Sequence, residues 1–405
     1  MAKITLTAFL LVLLTPFTAR AQSLDSVEAP GWWQFLEMKP LFDEPIEVGT
    51  APTGWPVVGG AATYTWKKDP EPREGTAGHL LHGSGRTFRN AFLTSPRDYG
   101  DFLLEVEVRI EAGGNSGIQV RSHDRNNHLV GYQVEIDSSP RKWSGGLYDE
   151  GRRGWLASLE DNVNAREAFA VGKWNTYRIL CVGPRIRTWI NGVPAVDHLD
   201  FMDLSGRIGF QVHSGNCDVY WRNARIADLG IRKWETIVMP GVESGYQVTP
   251  SNGLRPIPGG FEISQDGATI NLDTRLPGGI SILAIRGFLE SGTMGLELGN
   301  QDDPDRTSYV LRVPAPFGDP NEDKPGVIQV VQDEDGTTAI VSGATLVPGP
   351  PALDGPLPIE ITFTPGNTGR LVSVEMLPPT EVERAALQKA REAKLKRTSE
   401  SNASD

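Results

Sequence analysis

The feature that most constrains this chain is its period-two alternation of apolar and polar residues. In Phe102–Ile110, Leu104, Val106, Val108 and Ile110 alternate with Glu105, Glu107 and Arg109. That is the pattern of a strand with one face in a core. Ile118–Arg121, Tyr132–Asp137, Thr176–Val182, Arg185–Ile190 and Arg207–Val212 repeat it. Asn191-Gly192 falls between alternating runs and predicts a hairpin, because both residues tolerate positive φ. The chain has 45 Gly and 30 Pro in 405 residues. Such punctuation suits short strands and turns, so the fold class is all-β, a sandwich or jelly roll.

The rare residues divide the chain. All ten Trp, all six His and both Cys precede residue 235. The remainder still alternates, as in Gly260–Ile263, Ala268–Leu272, Ile280–Ile285, Tyr309–Val313, Val327–Gln332, Thr338–Val341, Ile359–Phe363 and Leu371–Met376. Asp335-Gly336 and Pro365-Gly366-Asn367 predict turns there, with loops over Ala315–Pro325 and Val347–Pro358. A second β-sandwich over 235–378 is expected. Thr380-Glu381-Val382-Glu383 has the form of a capping box, and Glu383–Arg397 the composition of a helix. Residues 379–405 are therefore expected to be a helical, then disordered, tail.

Met1-Ala2-Lys3, an apolar run from Ile4 to Phe17 and Ala19-Arg20-Ala21 predict a secretory signal peptide over residues 1–21. The run is short for a membrane span. A periplasmic or extracellular location follows as an expectation. An oxidising compartment would permit Cys181 and Cys217 to pair, although two separate buried thiols are the preferred reading. The net charge is −12, from 39 basic and 51 acidic residues. That argues against the broad basic surface a phosphate backbone needs, so nucleic acid is not an expected partner.

Alternation also sorts the side chains by face. Ile118, Val120, Val134, Ile136, Phe210 and Val212 take the core side. Gln119, Arg121, Gln133, Glu135, Asp137, Gln211 and His213 take the other. One face of an antiparallel sheet is often simply wet. This set, however, has no Lys and is rich in groups that hydrogen-bond planar or hydroxylated ligands. Trp143, Tyr148 and Trp155 lie nearby in sequence. Polar groups flanked by aromatics suit a sugar, which has hydroxyl edges and apolar faces. His79-x-x-His82 and the pair His123, His128 lack a third metal ligand, and the Gly-rich flanks of the first predict a loop. His198, beside Asp197 and Asp200, is expected at the surface.

The ordered motifs Tyr99-Gly100-Asp101-Phe102, Gly114-Asn115-Ser116-Gly117-Ile118, Gly131-Tyr132-Gln133-Val134-Glu135-Ile136-Asp137 and Gly146-Leu147-Tyr148 resemble the signature of the 3-keto-disaccharide hydrolase family. Trp174-Asn175-Thr176-Tyr177, Trp189-Ile190-Asn191-Gly192, Gly206–His213 and Trp221-Arg222-Asn223-Ala224-Arg225-Ile226 extend the resemblance in order. It covers roughly residues 40–229. The family includes 3-keto-glucoside 1,2-lyase/hydratases. The resemblance implies a concanavalin A-like lectin/glucanase jelly roll over 30–230. It also implies a carbohydrate partner, a glycoside oxidised at C3. Such a ketone acidifies the C2 proton, so elimination at C1 and rehydration give net hydrolysis.

On that resemblance Glu135 or Asp137 is the candidate base, with His213 competing. Arg121 would hold the enolate oxygen, His213 or Tyr148 would serve as acid, and Asn115, Gln119, Gln133 and Gln211 would orient hydroxyls beside Trp155. No cofactor is certain, but a divalent metal on Asp137 and Glu135 could replace Arg121. Two departures stand out. This chain has Gln133-x-Glu135 where the family usually has Glu-x-Gln, and Gln211-Val212-His213-Ser214-Gly215 where it usually has Gln-Asp-His-Gly. The alternative is a non-catalytic, lectin-like glycan-binding module. A purely structural pair of sandwiches is a third reading.

Overall fold

A computed structural model describes residues 7–8, 32–42, 45–73, 76, 78–242, 245–276, 281–299, 309–333, 336–341, 345–348 and 357–402. The chain divides into two compact units. One comprises Gln22–Ile231 with Thr380–Asp405, the other Met1–Ala21 with Arg232–Pro379.

The first unit is a sandwich of two antiparallel sheets. The seven-stranded sheet runs, in spatial order, Gly154–Ala157, Leu147–Glu150, Leu129–Asp137, Asn115–Asp124, Arg207–Val212, Ala91–Thr94 and Val57–Gly59. The other sheet runs Val193–Leu199, Arg185–Ile190, Asn175–Val182, Asp101–Ile110, Gly215–Gly230, His79–Thr87 and Thr63–Lys68, with Lys39–Pro40 added on Gly215–Gly230. The jelly-roll expectation is met. Ile118, Val120, Val134, Ile136, Phe210 and Val212 pack against Leu104, Val106, Val108, Ile110, Tyr177 and Ile179, as alternation requires. Each such aliphatic burial is worth about 1.5–3 kcal/mol. Asn191 and Gly192 take φ of 52° and 83° and join Arg185–Ile190 to Val193–Leu199.

The second unit holds a six-stranded and an eight-stranded sheet around its own core, which includes Ile270, Leu283, Ile285, Leu296, Ile328, Ile361 and Val374. Thr7–Ala8, inside the expected leader, pair parallel to Val310–Leu311. The Ala19-Arg20-Ala21 cleavage site lies outside the described residues, as do Asp335, residues 349–356 and the tail end 403–405. The C-terminal helix spans Glu381–Asn402. Thr380 Oγ1 accepts from Glu383 N at 3.2 Å, which realises the expected cap. The helix is not a free tail: it packs on the turn Trp32–Phe35 and on Gly215–Gly230. No helix among the described residues is long and apolar enough to cross a membrane.

Several expectations are corrected. His79 and His82 sit in the strand His79–Thr87, not in a loop. Simple alternation fails at Arg121, because pairing with the neighbouring strand slips between Val120 and His123 and Arg121 adopts φ 48°. Its side chain turns inward and is fully buried. Nε donates to Gly100 O at 2.8 Å, Nη1 to Gly183 O at 2.5 Å and Nη2 to Asp101 at 2.8 Å. Arg121 therefore cannot hold an enolate on the polar face; its charge is spent inside the protein. The two thiols, by contrast, are free and buried as the preferred reading has it. Cys181 opposes Phe102, and Cys217 lies two residues beyond Val219, which opposes Ile110 on the same strand. The intervening strand alone separates them by roughly 26 Å at about 3.3 Å per residue, so they cannot pair.

Breaking one half of a buried ion pair leaves an uncompensated charge. Arg121→Met should therefore lower unfolding stability by about 3–5 kcal/mol. Urea unfolding monitored by tryptophan fluorescence measures this directly.

Candidate functional site

The outer face of the seven-stranded sheet assembles six of the residues expected there. Asn115 opposes Asp137, Gly117 opposes Glu135 and Gln119 opposes Gln133 across the strands Asn115–Asp124 and Leu129–Asp137. On the far side Gly209 opposes Gln119, which carries Gln211 into the row of Gly117. Tyr148 opposes Gln133 from the next strand. The floor residues Gln119, Gln133, Glu135, Asp137 and Gln211 are all buried, while Asn115, Tyr148, Trp155 and His213 form a half-buried rim.

A directed chain of hydrogen bonds crosses this floor. Ser122 Oγ donates to Gln119 Oε1 at 2.6 Å, and Gln119 Nε2 donates to Gln133 Oε1 at 2.9 Å. Gln133 Nε2 then donates to Glu135 Oε2 at 3.0 Å, while Asn115 Nδ2 donates to Glu135 Oε1 at 2.7 Å. Bonds aligned this way polarise one another. Gly117 makes the arrangement possible: a Cβ there would meet the Gln133 amide carbon at 2.3 Å. Gln211 is fully buried, yet both its amide atoms lack a partner among the described residues. Groups of this kind are rarely left unsatisfied, so a ligand or water is the natural partner.

The two carboxyls are driven apart. Burial raises Glu135 from its ordinary 4.5 to about 7, against the lowering effect of Asn115 and Gln133; the nearby Asp137 charge adds to the rise. Asp137 is also pushed up by burial, but hydrogen bonds from Ser139 and Arg141 more than offset this and hold it low. Its Oδ1 accepts from Ser139 N at 3.0 Å, and its Oδ2 from Arg141 Nε at 2.9 Å and Trp143 N at 3.3 Å. Asp137 is thus a fixed anion, and Glu135 is poised to exchange a proton near neutrality.

Arg141 was not legible as a site residue from alternation, because it sits in the turn after Asp137. Its guanidinium bridges Asp137 and, at 3.5 Å, Glu135. It lies 4.7 Å from the ring of Trp143 and 4.9 Å from that of Trp155. Tyr148 meets Trp155 edge-on at 5.2 Å. This is the cation beside the carboxylates that Arg121 fails to supply. His213 Nδ1 lies 2.9 Å from Ser214 O. A carbonyl only accepts, so Nδ1 carries the proton and neutral Nε2 is left as an acceptor. The oxygens of Glu135 and Asp137 are already occupied by N–H donors, one of them cationic. That environment does not fit a divalent ion, and no set of three His, Cys, Asp or Glu suited to a metal occurs among the described residues.

The raised Glu135 has a stability consequence. Below about pH 4.5 its carboxyl is protonated in both folded and unfolded chains. Between about 4.5 and 7 the folded chain keeps a proton that the unfolded chain releases, so stability falls as pH rises. The loss should total roughly 3 kcal/mol and be complete above about pH 7. Glu135→Gln should remove this slope, which paired urea titrations from about pH 4 to 8 will reveal.

Residues 37–227 match the profile of a family described as the 3-keto-alpha-glucoside-1,2-lyase-like domain. No significant match occurs among curated proteins. Similar solved structures include a putative glycosyl hydrolase from Parabacteroides distasonis ATCC 8503, 19% identical, covering 47% of this chain and 99% of that one, with a TM-score of 0.31. A carbohydrate binding module, CBM66, from Bacillus subtilis is 16% identical over 45% of this chain and 100% of its own, TM-score 0.31. A glycosyl hydrolase family protein from Mycobacterium fortuitum is 12% identical over 47% of this chain and 98% of its own, TM-score 0.28. Over residues 37–227, then, the chain is similar to the 3-keto-alpha-glucoside-1,2-lyase-like domain family.

Proposed function

We propose that this is a secreted carbohydrate-active protein that cleaves 3-keto-glycosides on the outer face of the seven-stranded sheet. The observation that carries the reading is Glu135, a buried carboxyl held at about 7 and wired to neutral donors. A general base works best when its pKa lies near the operating pH.

In the proposed reaction Glu135 takes the C2 proton, breaking the C2–H bond. The electron pair moves onto the C3 oxygen, beside the Arg141 guanidinium. The enediolate then expels the C1 substituent, whose oxygen takes a proton from Glu135 or from Tyr148. Water adds across the C1–C2 double bond and completes net hydrolysis. His213, with Nε2 unprotonated when neutral, suits accepting a hydroxyl proton better than donating one. Gln211 supplies a donor and an acceptor for adjacent hydroxyls, and Trp155 offers an edge to the sugar's apolar face. Export rests on the N-terminal sequence.

Turnover of a 3-keto-glucoside by purified protein is the test. Glu135→Gln should lower kcat by about 10²-fold or more, Gln211→Met should mainly raise KM, and wild-type kcat/KM should rise with pH through about 7. Undiminished activity in Glu135→Gln overturns the mechanism. A second reading, glycan binding without turnover, is favoured by Val212, which stands where the family usually has an acid. Binding of unoxidised oligosaccharides with no turnover of any keto-sugar would establish it instead.

A further inference from the structure

The other sheet of the first unit contains a defect with its own chemistry. Strand Gly215–Gly230 has two successive partners on one edge. His79–Thr87 pairs as far as Leu80 opposite Arg222. Lys39–Pro40 takes over at Arg225 and Ile226. Between them the strand bulges at Asn223, which adopts φ 54°. The gap opens into a cavity of about 380 Å³, within the range of small-molecule sites.

Its walls carry three arginines, Arg73, Arg222 and Arg225, and two glutamates, Glu105 and Glu107, all of them engaged in ion pairs. Glu107 accepts from Arg222 Nε at 2.7 Å and from Asn223 Nδ2 at 3.1 Å, and it also pairs with Arg73. Glu105 pairs with Arg225 at 2.8 Å and Arg178 at 2.7 Å. Phe42 and Trp66, edge to face at 4.9 Å, give an apolar wall. Two buried polar atoms of lining residues have no partner among the described residues: Trp221 Nε1 and His79 Nδ1. Trp221 is only 1% exposed, so its indole N–H has been removed from water without compensation.

These features select a ligand class. An ionic ligand would compete with carboxylates and guanidiniums already paired to each other. A purely apolar ligand would leave the indole N–H and the ion pairs without new partners. A neutral polyol matches both: its oxygens accept from Trp221 Nε1, its hydroxyls donate to the carboxylates, and a C–H face covers Phe42 and Trp66. We infer that the gap at Asn223 is a second carbohydrate site, taking one neutral hexose-sized unit without reacting it. None of the groups in the proposed catalytic machinery lines it, so the inference does not depend on keto-sugar chemistry.

Titration calorimetry and saturation-transfer NMR on the full chain test this, with methyl glucoside and methyl galactoside as neutral probes and gluconate as an anionic one. At least one neutral probe should bind. Trp221→Phe, which keeps the ring and removes the donor, should weaken binding roughly tenfold, the worth of one buried hydrogen bond. Ala224→Phe, which fills the gap, should abolish it. Gln211→Met on the opposite face should leave it unchanged. The inference is overturned if no neutral probe binds, if Trp221→Phe binds like wild type, or if gluconate binds more tightly. Loss of binding in Gln211→Met with retention in Trp221→Phe would place the sugar on the other face and equally overturn it. Because Trp221→Phe is nearly isosteric, the test stands even if Ala224→Phe fails to fold.

Discussion

Much of the first unit depends on one buried guanidinium. Arg121 leaves strand Asn115–Asp124 in a left-handed conformation and ties Gly100, Asp101 and Gly183, which belong to the opposite side of the sandwich. Desolvating such a cation is costly, and the pair is tolerated only because its donors are met by two carbonyls and a carboxylate in good geometry. The slip that turns Arg121 inward also reorients Ser122. Its hydroxyl then reaches Gln119 and begins the hydrogen-bond chain that ends on Glu135. The internal clamp and the polar face are thus two results of one irregularity.

The contrast between Glu135 and Asp137 shows how little separation two chemical roles require. They are two residues apart on one strand and share one face. Burial acts on both in the same direction. What differs is the partner set: Asn115 and Gln133 give Glu135 neutral amide donors, while Asp137 receives two backbone N–H groups and a guanidinium. A charge-assisted bond favours the ionised form more strongly than a neutral amide does. The Ser139 hydrogen bonds, reinforced by Arg141, therefore sort the pair, and the two tryptophans against the guanidinium restrict where it can go.

Alternation located most of this correctly. Gln119, Gln133, Glu135, Asp137 and Gln211 share a face because period two holds wherever pairing is regular. It failed at Arg121, since a bulge inserts a residue without any sign in the local hydrophobic pattern. It passed over Arg141, because turn residues have no period to read. It misjudged His79 and His82, whose Gly-rich strand resembles a loop in composition; Gly83 is there because Trp221 packs at 2.6 Å from where its Cβ would be. The role of Gly117 was invisible for the same reason, as close approach by Gln133 is a fact of three dimensions.

The C-terminal helix adds a constraint on how the molecule is made. Its residues belong to the same unit as Gln22–Ile231, though the whole of Arg232–Pro379 intervenes. A growing chain can therefore close most of the sandwich early, but Trp32–Phe35 must wait for Glu381–Asn402 to be synthesised. Until then two buried tryptophans, Trp32 and Trp33, lack that covering. The completed first unit is consequently a product of a segment translated only after Arg232–Pro379, so a fragment ending at the sandwich boundary would not reproduce it.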